Sequence, residues 1–159
     1  MAYLPRNTAR HGKYVINSVE LHGPTSTWCR ILNLETFRDG PELRGSDVLI
    51  PGLQGAKARR RRATATEHAL VMVLAGDVDH ADEPYGDFTE GLASNLNYLH
   101  ANVIDPPTTT AGTRSSTFTD WAGDASTKPI HVLGFHITEK WNDGLIKAVL
   151  DISIPGGRY

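Results

Sequence analysis

Cysteine is nearly missing from this chain: Cys29 stands alone among 159 residues. An intrachain disulfide is excluded, and so is a zinc site built on several thiolates. A lone cysteine in such a chain is expected to serve as a small buried hydrophobe rather than a nucleophile. Long apolar runs are missing too, and none approaches the roughly 18 residues that cross a bilayer. The opening stretch MAYLPRNTARHGK has no apolar centre of the kind a secretory leader carries. Any role outside a cell is expected to be reached by another route. Charge is nearly balanced, with 16 Lys and Arg against 18 Asp and Glu and a pI of about 6.4. A dedicated DNA-binding domain carries a clear positive surplus, and this chain does not.

Catalytic signatures are missing as well. The sequence has no P-loop, G-x-S-x-G, H-E-x-x-H or G-x-G-x-x-G pattern. His131 and His136 are five apart, which on a strand puts them on opposite faces, a poor metal geometry. His80 with Asp77, Asp79, Asp82 and Glu83 reads as a solvated acidic loop rather than a cation site. His68 and His100 read as ordinary strand and helix residues. The expectation is a protein that is not an enzyme and needs no cofactor and no metal.

What is present points to strands. Hydrophobic residues make up 40% of the chain and charged residues 21%, an ordinary globular balance. Gly (15) and Pro (9) are frequent, so the chain turns often and a β-rich fold is favoured over a helical bundle. Residues 1–13 read as an N-terminal arm without apolar period, expected to order only on a neighbour. Tyr14 to Leu21 reads as a strand. Thr27 to Phe37 reads as extended or as a short helix. The clearest hairpin runs from Ile130–Glu139 through Asn142-Asp143-Gly144 into Leu145–Ile154, where Ile146, Ala148, Leu150, Ile152 and Ile154 share one face. Arg114 to Asp120 reads as a further strand, with a turn at Gly123-Asp124. One segment reads as a helix, at about 87–103. There Phe88, Leu92, Leu96, Leu99 and Val103 form an apolar stripe, and Asp87 with Glu90 has the spacing of a capping box. No internal repeat and no domain boundary interrupts residues 14–159.

The most conspicuous feature is GAKARRRRATATEHALVMVLAG, Gly55 to Gly76. Lys57 and Arg59 to Arg62 open it, and the apolar run Leu70 to Leu74 closes it. Read as one element, it is a long strand that starts at a solvated rim and ends in a covered sheet. Arginine binds phosphate well. Yet no aromatic side chain interleaves the run for stacking on bases, and the helix carries no Lys or Arg. Arginines at a strand end serve equally well as bidentate partners for carboxylates on a neighbouring subunit.

Two stretches carry a family resemblance: RGSD…IPG…G…RR…T, Arg44 to Thr64, and the terminal AVLDISIPGGRY from Ala148. With them the chain resembles the minor tail proteins of actinobacterial siphophages, which are similar to the N-terminal domain of distal tail proteins. The resemblance implies a mainly β fold, a β-sandwich (residues 14–159) with one flanking helix, shared with tail-tube subunits. It implies a structural virion protein of the phage tail, made in the bacterial host cytoplasm and not inserted in a membrane. Copies would form a homo-hexameric ring at the distal end of the tail tube. The ring would join the tube protein to the tail-tip proteins, with the tape measure protein a further contact, and would continue the channel for DNA exit. A tail-tube subunit is the alternative within this fold, and a soluble nucleic-acid-binding domain the alternative outside it. On the ring reading Lys57, Arg59, Arg60, Arg61 and Arg62, with Arg6 and Arg10 of the arm, are expected at a subunit interface. A lumen lined by arginines would retain the phosphates of passing DNA.

Overall fold

The structure is a computed structural model and describes residues 12–38, 43–44, 48–49, 56–57, 62–63, 65–105, 113–141, 144–155 and 159. The strands in chain order are β1 (Lys13–Ile16), β2 (Val19–His22), β3 (Cys29–Ile31), β4 (Leu43–Arg44), β5 (Val48–Leu49), β6 (Ala56–Lys57), β7 (Arg62–Ala63), β8 (Thr66–Ala75), β9 (Thr113–Thr119), β10 (Ala125–Lys140) and β11 (Leu145–Ile154). Among the described residues, seven of them make one antiparallel sheet in the order β2-β1-β9-β10-β11-β8-β3. Its two outer strands touch: the Ile31 N–H donates to His22 Nδ1 at 3.1 Å, so the sheet curls into a nearly closed barrel. The β-rich architecture is as expected, and the implied sandwich takes the form of one sheet folded onto itself.

The interior follows from alternation. On β11 every second residue, Ile146 to Ile154, is buried, as the period-two pattern requires. Leu70, Met72 and Leu74 of β8 meet them from the adjacent strand, and Tyr14, Ile16, Leu21 and Ile31 close the far side. Cys29 is 1% exposed, and burial pushes its thiol well above the ordinary value. A thiol reagent such as dithionitrobenzoate is expected to leave native protein unlabelled and to react fully in denaturant.

Tyr14 to Leu21 is two strands, not the single one the apolar pattern suggests. Asn17 and Ser18 adopt φ of 47° and 67°, so Ile16 and Val19 pair across a two-residue turn. Asn is one of the few residues that tolerates this region, and the tertiary fold supports it here. Asn17 Nδ2 donates to Asn102 O at 3.0 Å, and its backbone N–H donates to Ser115 O at 2.9 Å. The stretch Thr27 to Phe37 divides between the two readings: extended at β3, then a 3₁₀ turn at Leu34–Arg38.

The helix α1 (Phe88–Leu99) continues as a π-helical turn at His100–Ile104. Asp87 caps its start, its carboxylate accepting from the N–H groups of Thr89 (2.9 Å) and Glu90 (3.3 Å). Leu92, Leu99 and Val103 are buried in the core, while Leu96 packs against it half-covered. Asn95, fully buried, donates from Nδ2 to Ala75 O (2.7 Å) and Val78 O (2.9 Å), pinning the helix to the end of β8. Arg114 of β9 reaches the other end, donating from Nε to Val103 O at 2.6 Å and from an Nη to Ile104 O at 2.5 Å. Burial lowers the guanidinium's affinity for its proton, and neighbouring Asp105 opposes that shift.

The outer edge of β8 is satisfied along most of its length. Beyond its pairing with β3, Leu32 N donates to Val71 O (2.7 Å) and Ala75 N to Trp28 O (2.9 Å). The Asn33 side chain adds one more rung: Nδ2 donates to Ala69 O and Oδ1 accepts from Val71 N, both at 2.8 Å.

Candidate functional site

Two short ladders stand apart from the barrel sheet. Leu43 and Arg44 pair with Ala63 and Arg62, while Val48 and Leu49 pair with Lys57 and Ala56. The pairs are nested, β4 with β7 outside β5 with β6, as in the two limbs of a hairpin. Arg62, the described end of the arginine run, is therefore not on the rim of the long strand, as its sequence suggests. That strand begins at Thr66, and Lys57 and Arg62 belong to the returning limb of the hairpin. Ala63 and Ala65 hide this division, because small residues fit either a continuous strand or a break. Arg59, Arg60 and Arg61 lie outside the described residues, as do Arg6 and Arg10 and the arm up to residue 11. Lys13, placed in the arm by sequence, opens β1 and pairs with Glu20 at 3.3 Å. Phe88, Leu92, Leu96, Leu99 and Val103 come together on one helix face, with Phe88 half-buried at its start.

A second surface lies along β10. Strand β9 covers one of its edges from Ala125 to His131, and β11 covers the other from His131 to Lys140. Over residues 132–140 the first edge carries no strand among the described residues. Large apolar side chains are exposed along this half: Leu133 (56%), Ile137 (54%) and, just beyond the strand, Trp141 (41%). Bulges between Val132 and Gly134 and between Ile137 and Glu139 interrupt the ladder. The first reverses the expected placement of two histidines. One extra residue flips the alternation, so His131 and His136 lie on the same outer face, opposite Ser153 and Val149. His136 Nε2 sits 3.3 Å from Asp151 Oδ2, while His131 is too far along the strand to join them. Near the hairpin tip Glu139 accepts from Trp141 Nε1 (2.9 Å) and Lys147 Nζ (3.2 Å), contacts that lower its carboxyl below the usual range.

The third feature is at one end of the barrel, where Tyr14, Phe37, Phe118 and Tyr159 cluster. Ring centroids are 4.7 Å apart for Tyr14–Phe37 and 5.1 Å for Phe37–Tyr159. The Tyr14 and Tyr159 hydroxyls are 2.9 Å apart, and the Tyr159 hydroxyl also bonds Ser116 Oγ, which donates to Lys128 O. Sequence reasoning missed Tyr159 as a packing residue, because PGGRY has no period and its partners lie far back in the chain. Burial raises both phenols, that of Tyr14 strongly. Raised folded-state values mean that the stabilisation is complete below pH 10 and fades as pH climbs through the folded pKa values. Alkaline titration is expected to unfold the protein steeply above about pH 10. The Tyr159→Phe variant, which removes one buried phenol, is expected to show a shallower loss, read by circular dichroism.

No group of three His, Cys, Asp or Glu side chains among the described residues is placed to hold a metal. The surfaces that stand out are suited to contact with another protein chain: an arm hairpin, an open strand edge and an aromatic cleft.

No protein-family model matches the chain, and no curated protein resembles it in sequence. Its fold is similar to the crystal structure of the SPP1 Dit protein (gp 19.1), described as a paradigm of hub adsorption apparatus in phages infecting Gram-positive hosts. The TM-score is 0.55 at 13% identity, over 90% of this chain and 49% of that one. The chain thus spans about half the length of the SPP1 protein, and at this identity the likeness is one of fold.

Proposed function

We propose that this chain is a structural protein of a phage tail, a subunit of the ring at the tail-tip hub. In that role it joins the tail tube to the tip complex and continues the channel through which DNA leaves. It has no catalytic activity, works in the virion and is made in the host cytoplasm. The observation that carries this reading is the fold shared with SPP1 Dit across nearly the whole chain. The resemblance of Arg44–Thr64 and Ala148–Tyr159 to minor tail proteins of actinobacterial siphophages supports it independently and suggests the same origin.

The surfaces fit assembly. A two-stranded hairpin is marginal in water on its own, and among the described residues the main contacts of these short strands are β4 with β7 and β5 with β6. An open edge with exposed Leu133 and Ile137 is a liability in a monomer and an asset in a closed ring, where a neighbour covers it. The sequence balance of −2 also suits a subunit whose arginines meet protein rather than nucleic acid.

Electron microscopy of the purified chain, with native mass spectrometry, tests this. Closed rings, six-fold on the hexamer reading, are the expected result. Long stacked tubes would make it a tail-tube subunit instead. A monomer that binds short DNA with steep salt dependence would replace both by a nucleic-acid-binding domain.

A further inference from the structure

We infer that this chain assembles head to tail, with Trp141 at the β10–β11 tip of one copy seated in a groove of the next copy between Leu32 and Trp121. Single apolar side chains at a surface are ordinary, but here they gather in two places. Leu133, Ile137 and Trp141 follow the open half of β10, whereas Leu32 (51% exposed) and Trp121 (38%) flank a groove on the barrel wall. Two of the chain's three tryptophans thus reach solvent, one in each place, while Trp28 is buried. Tryptophan is among the side chains that most often anchor a protein interface, because it covers much area with few rotatable bonds. The groove has a volume of about 240 Å³, below the roughly 300–1,000 Å³ of small-molecule sites. One large side chain fills it.

The two places complement each other chemically. Buried Ile31 and Leu34 line the groove's apolar side, and Arg30 and Glu35 its polar side. A guanidinium beside an indole face makes a cation–π contact, which is stronger where the cation is already partly stripped of water. Arg30 is in that state, since burial lowers its affinity for its proton. Glu35 and Lys140 are both exposed, and among the described residues neither is in an ion pair. A tip docked through Trp141 carries the adjacent Lys140 ammonium to the Glu35 carboxylate, a contact that fixes orientation more than affinity. Trp141 is held ready: its backbone N–H donates to Leu145 O and its Nε1 to Glu139 Oε2, both at 2.9 Å. A preformed anchor loses little freedom on binding. The same bonds keep Trp141 at its own hairpin tip, and it does not line its own chain's groove, so the occupant comes from another copy. Trp121 precedes β10 and Trp141 follows it, at opposite ends of a 16-residue strand that extends roughly 50 Å along the chain. A contact between two different surfaces repeats from copy to copy and closes into a ring where the rotation permits. The choice of a second copy rests on the ring reading above, whereas the chemistry of the contact does not.

The test uses the full chain and its variants, with assembly followed by sedimentation velocity and native mass spectrometry. Trp141→Ser removes the anchor, and Leu32→Ser with Trp121→Ala opens the groove; circular dichroism checks that each variant folds. Alone, each should self-associate at least about tenfold more weakly than wild type. Mixed, they have one intact anchor and one intact groove between them, so a 1:1 pair that grows no further is expected. The ion pair is tested without touching the packing: Glu35→Lys and Lys140→Glu should each weaken assembly, and both together in one chain should restore it. Rings that form from either tryptophan variant as readily as from wild type overturn the contact and leave the ring reading standing. A 1:1 pair from the mixture, with only open chains from wild type, keeps the contact and removes the closed ring. Wild type and mixture both monomeric overturn the two together. Loss without restoration in the double charge variant overturns the assignment of Lys140 to Glu35.

Discussion

Gly76→Ala is expected to cost about 3 kcal/mol of folding stability, at the upper end of what overpacking does. A Cβ at residue 76 would lie 1.9 Å from Phe88 O and 2.5 Å from Leu92 N, both backbone atoms of the helix. A side chain can rotate away from such a contact, but a helix backbone has to move as a body. The same seam is tight from the other side, since a Cβ at Gly91 would lie 2.0 Å from Gly76 O. Backing the helix off would stretch the Asn95 bonds to Ala75 O and Val78 O, so a buried amide would lose its partners as well. In thermal denaturation the shift should be a fall of about 6–12 °C. Gly86→Ala is the control: nothing lies within 4 Å of a Cβ there, and no change is expected. A Gly76→Ala protein that melts with wild type would mean that the helix is not seated on β8 as described.

Arg114→Met is expected to cost about 2–4 kcal/mol, by urea denaturation followed in the far ultraviolet. The methionine keeps much of the apolar stem but leaves the Val103 and Ile104 carbonyls without the donors that now satisfy them. These are the last carbonyls of the π-helical turn, where the helix dipole is negative and a buried cation is most useful. Arg114→Lys should recover only part of the loss. An ammonium is one point charge, whereas the guanidinium presents Nε and Nη to two acceptors at once. Full recovery by lysine would show that charge alone matters at this helix end.

The regular parts of this fold are legible in the sequence. β11 can be read residue by residue from Ile146 to Ile154, and α1 from Asp87 and the stripe through Val103, because one face of each element is buried against a continuous core. Legibility fails wherever a single residue resets the register. The turn at Asn17-Ser18 splits an apparently continuous strand, since only the backbone conformation marks it. The bulge at Leu133 moves His136 onto the face of His131, and nothing local distinguishes a bulged leucine from a paired one. The division between Arg62–Ala63 and Thr66 depends on Leu43 and Arg44, some twenty residues upstream, claiming the arginine end for a separate ladder. The candidate assembly surfaces were visible as composition, four arginines in a row, but not as places.

Asn33 gives the molecule a direction. Its amide sits against β8 as a strand would, accepting from one backbone N–H and donating to one backbone oxygen, then stopping, because a side chain offers no further rung. That side of the sheet is terminated from Ala69 to Ala75, while the far side, along residues 132–140 of β10, is not. Two identical chains therefore cannot extend one another symmetrically through these two borders. Strand addition has a permitted end and a forbidden end, much as a monomer with one reactive group can be appended to but cannot branch. Replacing Asn33 by alanine would open the forbidden end at Ala69 and Val71, and with it a second axis of polymerisation.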